Sequence, residues 1–205
     1  ALVPHHMWSW GTASQGQCGQ ECKDPLLLPS PVPSAAFVGR LVAIAAGEAH
    51  CLARDELGNC YVWGRTREGQ ALRVDGAPQS APTLVAPLAH ETVTQVACGA
   101  HTNFAVTVAG EVYCWGSVLV EREDAGLHND AAGYGRSFLS LSEASQRMLR
   151  QSVSDYVMCA DSSDDSSSAP PGDAPDYRRV PQPHPTRLPL PPRTRVRRVA
   201  SGFSF

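Results

Sequence analysis

The stretch TQVACGAHTNFAVTVAGEVYCWG, residues 94–116, decides the fold because the chain carries a second version of it. That version, VAIAAGEAHCLARDELGNCYVWG, occupies residues 42–64. In each, the first glycine (Gly47 or Gly99) is followed 11 residues later by another glycine and 16 residues later by the tryptophan of a Trp-Gly pair. Such self-similarity over a whole segment indicates a repeat architecture.

Two independent landmarks give the same period. Trp-Gly pairs recur at steps of 53 and 52 residues, and a triplet of two small residues and a glycine first recurs after 52. The pairs are Trp10-Gly11, Trp63-Gly64 and Trp115-Gly116, and the triplets are Ala45-Ala46-Gly47, Ala97-Cys98-Gly99 and Ala200-Ser201-Gly202. The agreement favours one repeat unit over two unrelated motifs.

Each unit consists of short strands separated by turns. In the first, RLVAIAAG, HCLARD and CYVWG are apolar or β-branched runs, and ELGN at residues 56–59 is a turn. PTLVAPL (82–88) supplies a fourth strand, and PTRLPLP (185–191) is its counterpart near the end of the chain. Four antiparallel strands in roughly 50 residues are typical of a propeller blade. The sequence therefore predicts an all-β fold, a partial β-propeller of four-stranded antiparallel blades.

The units also share the ending W-G-x-x-x-x-G-Q, as WGTASQGQ at residues 10–17 and WGRTREGQ at 63–70. Together with V-A-C-G, N-F-A-V-T and G-E-V-Y-C-W-G, this ending resembles the repeats of the regulator of chromosome condensation. WD-repeat propellers are the nearest alternative, but none of the four tryptophans precedes an aspartate. The resemblance covers roughly residues 8–116 and 178–205. The repeat signature comprises Trp10, Gly11, Gly16, Gln17, Gly47, His50, Gly58, Trp63, Gly64, Gly69, Gln70, Gly99, Gly110, Trp115, Gly116 and Gly202.

These signature residues are expected to be structural. Glycine reaches positive φ without steric cost, which lets strands turn sharply. Trp63 and Trp115 are expected to pack between neighbouring blades, whereas Trp8 lies outside the repeat landmark. His50 stands where the family often has histidine, while the next unit has Thr102 there and a histidine one place earlier. The sequence predicts that His50 is a hydrogen-bonded structural residue rather than a base or a metal ligand.

Three segments are predicted: propeller blades at 1–116, an insertion at 117–177, and the truncated start of a further blade at 178–205. The distance from Gly116 to Gly202 exceeds that from Gly64 to Gly99 by 51 residues, so a degenerate blade is the alternative to an insertion. An insertion is favoured because its span contains no Trp-Gly pair. The family's namesake is a closed ring, so about three blades imply that these residues belong to a longer chain.

The insertion has an organisation of its own. Ser140 and Glu143 fit a capping box, and apolar residues at helical spacing follow them, which predicts an amphipathic helix at about 141–158. Its apolar face is expected to pack on the propeller, with docking into another protein as the alternative. The acidic, Ser- and Pro-rich stretch at 160–177 is expected to be disordered.

Composition narrows the function classes. Seventeen basic and 20 acidic side chains give a net charge of -3, which provides no global field for nucleic acid or an acidic membrane. No apolar run approaches the length of a membrane span, and no signal peptide is recognisable. The seven cysteines lack a C-x-x-C pair and suit reduced thiols inside a cell, in the cytoplasm or the nucleus. Cys18 and Cys22, with His5 and His6 nearby, are the weak alternative of a metal site.

The sequence contains no recognisable catalytic motif. Nucleophile-elbow, phosphate-loop and His-Glu zinc motifs are all missing, so no catalytic residue, cofactor or metal is assigned. A protein–protein interaction module is expected. The resemblance adds the alternative of a guanine-nucleotide exchange factor for a Ran-like small GTPase. The basic stretch Arg193–Arg198, with Arg193, Arg195 and Arg197 on one face if it is a strand, adds chromatin or another acidic partner.

Overall fold

The computed structural model describes residues 7–121, 177–191 and 193–201. Within them, ten strands form three antiparallel sheets, and two 3₁₀ helices, Ser34–Ala36 and Ala86–Leu88, lie in the connections. The helix expected at 141–158, residues 160–176 of the expected disordered stretch and Gly202 fall outside the described residues. Tyr177, the last residue of that stretch, begins a strand instead. No helix in the described part of the chain is long and apolar enough to cross a membrane.

The strands follow the repeat units in order. The first blade contributes β1 (Trp8–Gly11) and β2 (Leu26–Pro31). The second blade contains β3 (Leu41–Ala46), β4 (His50–Asp55), β5 (Cys60–Gly64) and β6 (Gln79–Leu84). The third blade contains β7 (Val93–Cys98), β8 (Thr102–Thr107), β9 (Val112–Glu121) and β10 (Tyr177–Arg187). The predicted all-β fold with four-stranded antiparallel blades is confirmed.

Register confirms that the two complete sheets are equivalent. Cys51 pairs with Trp63 across β4 and β5, and Asn103 pairs with Trp115 at the same position across β8 and β9. By the same alignment, β1 and β2 correspond to the third and fourth strands of a blade. The first blade is therefore an outer half-blade within the described residues.

The insertion lies inside the third blade rather than after it. β9 runs on to Glu121, and β10 pairs with it from Tyr177 to Arg187. Residues 178–187 are thus the fourth strand of the third sheet, which moves the expected start of a further blade from 178 to the segment after it. The predicted boundary at residue 178 is therefore not the start of a new blade, because a chain that leaves the sheet after the third strand must return to supply the fourth.

The core lies between the blades. Trp63 is 1% exposed and Trp115 is 0% exposed, as expected for wedges between neighbouring sheets. Burial of a large apolar side chain stabilises by roughly 1.5–3 kcal/mol. The largest cluster joins the second blade to the third, and its buried residues are Leu52, Cys60, Val62, Ala71, Val85, Leu88, Val93, Val96, Cys98, Ala105 and Trp115.

Glycine after each tryptophan is required by a close backbone approach. Gly64 and Gly116 have φ values of +109° and +106°. A Cβ at Gly64 would lie 2.4 Å from the carbonyl oxygen of Ala49, and one at Gly116 would lie 2.3 Å from that of His101. Both positions therefore exclude any larger residue on conformational and steric grounds.

Candidate interaction surface

A repeated hydrogen bond joins each blade to the next. The indole Nε1 of Trp63 donates to the backbone oxygen of Gln17 over 2.9 Å, and Nε1 of Trp115 donates to that of Gln70 over 3.0 Å. In both cases the W-G-x-x-x-x-G-Q loop of one blade supplies the acceptor for the tryptophan of the following blade. The sequence motif therefore encodes the contact between blades as well as a turn.

The glutamine side chain stabilises the loop that carries this acceptor. Oε1 of Gln17 accepts from the backbone N–H of Gln15 over 2.8 Å, and Oε1 of Gln70 accepts from that of Glu68 over 3.0 Å. In the third blade, Nδ2 of Asn103 donates a second bond to the Gln70 oxygen over 2.9 Å. This arrangement holds the blades in a fixed relation and leaves the loops at their ends available for contacts.

Loops at one end of the blades meet through polar side chains. They are here called the loop face and comprise the turns 47–49 and 99–101 and the loop that begins at Arg65. The carboxylate of Glu48 accepts from both terminal nitrogens of Arg65, over 3.2 and 3.3 Å, and lies 3.2 Å from Nε2 of His101 in the next blade. These side chains remain partly exposed. Exposed ion pairs contribute less than about 1 kcal/mol, so a partner can rearrange them at little cost.

His50 lies beneath the loop face and is buried. Burial lowers its pKa to about 4, although the nearby Asn103 amide acts in the opposite direction. Within the described part of the chain, neither ring nitrogen has a hydrogen-bond partner of good geometry. The burial agrees with the expected structural role, and among the described residues the expected hydrogen bonds of good geometry are not seen. A neutral, enclosed imidazole is poorly placed to act as an acid or base.

Burial keeps several of the cysteine thiols protonated. The six cysteines of the described residues carry free thiols, and burial raises the pKa of Cys51, Cys60 and Cys114 to about 12. The thiolate is the nucleophile and the metal ligand, so such thiols are inert near neutral pH. The Cys18 thiol points to the backbone oxygen of Thr12, 3.3 Å away.

The weak metal-site alternative receives no support from the part of the chain that is described. No group of three or more His, Cys, Asp or Glu residues there could hold a metal ion. His5 and His6 fall outside it.

The end of the blades opposite the loop face contains two features. Asp55 is buried and its carboxylate accepts from the backbone N–H and Nδ2 of Asn59, both over 2.8 Å, and from Oη of Tyr61 over 3.0 Å. Burial alone would raise the pKa of this carboxyl, but these bonds outweigh it and lower the pKa. Asp55 therefore fixes the turn between β4 and β5.

The second feature is the basic segment. Arg193, Arg195, Arg197 and Arg198 are all exposed, and no strand is formed there among the described residues. The prediction that Arg193, Arg195 and Arg197 share one face required a strand, so it does not apply. The segment takes the place of the inner strand of a further blade. The Val196 N–H donates to the backbone oxygen of Gly110, just as the N–H of Val93, the first residue of β7, donates to that of Gly58, each over 3.0 Å.

Sequence reasoning missed three of these side chains. Glu48 and Asp55 lie in or beside turns, where acidic residues are common and carry no specific signal. Gln95 lies within β7 and clamps the later segment, donating to the Val199 oxygen over 2.7 Å and accepting from its N–H over 3.0 Å. A long polar side chain inside an inner strand was the one signal that could have indicated it.

The comparisons with known proteins agree with this architecture. The family model of the regulator of chromosome condensation (RCC1) repeat matches residues 5–54 and 58–106, and a second model of this repeat matches 41–70. "Protein RCC1" of Candida albicans is 38% identical over 80 residues, covering 36% of this chain and 17% of that protein. The human E3 ubiquitin-protein ligase HERC2 is 31% identical over 112 residues, covering 54% of this chain and 2% of that protein.

A solved structure supports the fold. A chain in the crystal structure of Kap60 bound to yeast RCC1 (Prp20) aligns with a TM-score of 0.56 and 21% identity, covering 97% of this chain and 36% of that chain. The present chain thus spans a small part of its curated relatives. Repeat spacing, sheet register and family models coincide, and the chain belongs to the family of proteins built from regulator-of-chromosome-condensation repeats.

Proposed function

We propose that this chain is a protein–protein interaction module whose loop face binds the partner, as part of a larger propeller. The carrying observation is that Glu48 links the loops of two consecutive blades through partly exposed contacts to Arg65 and His101. The blades below are held by the repeated tryptophan-to-glutamine bond. A rigid frame with adaptable polar loops is a geometry suited to binding.

The module is proposed to act without a catalytic centre or a cofactor of its own. The high thiol pKa values and the low pKa of His50 argue against nucleophilic or general-base roles at these positions. The relatives support the same reading, because proteins with names as different as RCC1 and an E3 ubiquitin ligase share the repeats. A shared scaffold with different attached activities is common among repeat folds.

Quantitative affinity purification with a matched pair of variants tests the proposal. Glu48→Ala removes the carboxylate that contacts Arg65 and His101 on the loop face. Glu56→Ala removes an exposed glutamate that pairs with Arg40 at the opposite end of the blades. We expect at least one partner to be depleted severalfold by Glu48→Ala and retained by Glu56→Ala. Equal recovery of every partner with both variants would exclude the loop face as the binding surface.

Exchange activity on a Ran-like GTPase is the alternative that the family resemblance suggests. It is separated from simple binding by the release of a fluorescent guanine nucleotide from such a GTPase. Under the interaction-module proposal, addition of the chain leaves the release rate at its intrinsic value. A tenfold or greater acceleration would favour the exchange-factor alternative.

Binding of an acidic partner is a second candidate because four exposed arginines cluster within residues 193–198. Electrostatic binding of this kind weakens steeply as salt rises. Double-stranded DNA and acidic peptides are suitable probes. The double variant Arg197→Glu/Arg198→Glu is compared with Arg40→Glu, which changes an exposed arginine elsewhere. If the two variants bind equally and salt has no effect, the arginine segment is only a solvated surface.

A further inference from the structure

The inner turns of the second and third blades are joined by a backbone hydrogen bond. The N–H of Glu48 donates to the carbonyl oxygen of Ala100 over 3.1 Å. The same two blades are also joined at their opposite end, where the N–H of Val93 donates to the backbone oxygen of Gly58 over 3.0 Å. The junction between these blades therefore has a main-chain bond at each end.

His50 fills the space beside the first of these inner turns. Its ring is 1% exposed, and a Cβ added to Gly47 would lie 2.1 Å from the imidazole Cε1 and 2.6 Å from the carbonyl oxygen of Gly99. Neither ring nitrogen has a well-aligned hydrogen-bond partner among the described residues. In the third blade, the equivalent Thr102 is also 1% exposed, but it donates to the Ser117 oxygen over 2.7 Å. A titratable ring thus replaces a neutral, hydrogen-bonded side chain.

The surroundings of His50 disfavour a proton on its ring. Burial has the largest effect, and the positive charge of Arg65 and that of a protonated His101 add repulsion. The Asn103 side chain acts in the opposite direction. Its amide nitrogen already donates to the next loop, so its oxygen is the atom that remains to accept from the ring.

The other titratable groups around the ring give a positive charge little support. The thiols of Cys18 and Cys51 line a cavity with it, and the Cys98 thiol lies 3.6 Å from the Asn103 amide oxygen. Burial raises the pKa of all three thiols, so they carry no charge near neutral pH. Among the described residues that line this cavity, Glu48 is the only charged one, and its carboxylate is engaged in the ion pairs of the loop face.

We propose that protonation of His50 separates the two inner turns and admits water to the ring, so that the junction opens in acid at the loop face and stays closed at its opposite end. A charged imidazole gains hydration when its cover opens, whereas the neutral Thr102 gains little. Burial lowers the pKa of His50 from its ordinary value of 6.5 to about 4 in the closed junction. The closed junction is therefore most stable above about pH 6.5 and loses stability as the pH falls to about 4. The inference is independent of what the loop face binds.

Amide hydrogen exchange of the full chain, followed by NMR, measures the opening of each end separately. Each exchange rate is divided by the rate of an unstructured amide at the same pH, which gives an opening constant. Between about pH 6.5 and about pH 4.5, we expect the opening constant of the Glu48 amide to rise at least about tenfold. At the lower pH it should exceed that of the Val93 amide by about tenfold or more, because Val93 reports on the opposite end.

Three variants identify the group that takes up the proton. His50→Thr copies the third blade and should reduce the rise at residue 48 to less than about twofold. Glu48→Gln and His101→Gln replace the two other titratable side chains that meet at this end, and each should keep a rise of severalfold. NMR titration of the His50 ring in the wild-type chain needs no variant, and protonation of the ring should coincide with opening at residue 48.

Three results would overturn the inference. The first is an equal rise at residue 48 in the His50→Thr variant and in the wild-type chain. The second is that the Glu48 and Val93 amides keep equal opening constants throughout, because acid would then unfold the chain as a whole. The third is that the His50 ring takes up a proton while the Glu48 amide stays protected, because the charge would then be held inside a closed junction.

Discussion

The tryptophans of the second and third blades and that of the first stand in the same sequence motif but in opposite environments. Trp63 and Trp115 are 1% and 0% exposed, whereas Trp10 is 63% exposed. Each buried indole donates to a glutamine carbonyl of the preceding blade. Within the described residues, no preceding blade lies over Trp10. The burial of a repeat residue is therefore a property of its neighbour as much as of its own sequence.

The largest effect expected from this comparison is on stability. Trp115→Ala should lower the free energy of unfolding by roughly 3–5 kcal/mol, because it removes a buried indole and opens a cavity. Trp10→Ala should cost less than about 1 kcal/mol, since its ring is already largely in water. Urea denaturation followed by circular dichroism measures both. Similar losses for the two variants would show that Trp10 is also covered by other parts of the protein.

Acid sensitivity should distinguish the second blade from the third. His50 is buried with a pKa of about 4, and its equivalent Thr102 is a neutral residue that donates to the Ser117 oxygen. The unfolded histidine binds a proton near pH 6.5 and the folded one does not, so stability falls as the pH drops from about 6.5 to 4. The expected loss is roughly 3 kcal/mol.

Substitution tests the origin of this loss. His50→Thr, which copies the third blade, should flatten the dependence of unfolding free energy on pH between 4 and 6.5. Asp55 does not obscure the result, because its lowered pKa places its own loss of stability at more acidic pH. A wild-type chain whose stability is constant between pH 6.5 and 4 would contradict the assignment to His50.

A second hydrogen-bond donor to the Gln70 carbonyl should stabilise the contact between the second and third blades. Asn103 donates through its amide over 2.9 Å, whereas the equivalent Cys51 places its thiol 3.7 Å from the Gln17 oxygen. Asn103→Ala should cost about 1–3 kcal/mol, because it removes a buried hydrogen bond. Cys51→Ala should cost less, as thiols are weak donors. Thermal unfolding of the two variants in parallel measures the difference, and a greater loss for Cys51→Ala would reverse the ranking.

The smallest effect is expected on the loop face. Glu48→Gln weakens the contacts to Arg65 and His101, which are partly exposed, so stability should change by less than about 1 kcal/mol. The change should shrink further in high salt. Chemical denaturation at low and high ionic strength tests this expectation. A large, salt-independent loss would mean that Glu48 holds the blades together rather than presenting a binding surface.

The sequence predicted the parts of the fold that depend on repetition. The spacing of Trp63 and Trp115 predicted both the blade period and the wedges between blades, because each repeat must bury its apolar face against the next. The strand PTRLPLP was expected as a counterpart of PTLVAPL, and it does overlap β10. Its membership in the third blade was less evident, since the inserted residues hide which strand comes before it.

The candidate surface was less predictable. The contact of Glu48 with His101 joins turns 52 residues apart in the chain, and nothing in either turn identifies its partner. That His50 has no well-aligned hydrogen-bond partner among the described residues could not be inferred either, because this depends on the distances between atoms in packed strands. Repeats fix which residues are equivalent, but the polar contacts between repeats depend on the residues that differ.

The insertion inside the third blade has a consequence for how the chain can vary. Glu121 and Tyr177 are paired across the sheet, and paired residues of antiparallel strands lie only about 4.5–5.5 Å apart. A segment that leaves and returns at neighbouring points imposes no register on the blade, and the entropy of closing it grows slowly with its length. The pairing of Glu121 with Tyr177 therefore places little restriction on the length of the segment inserted between these two residues.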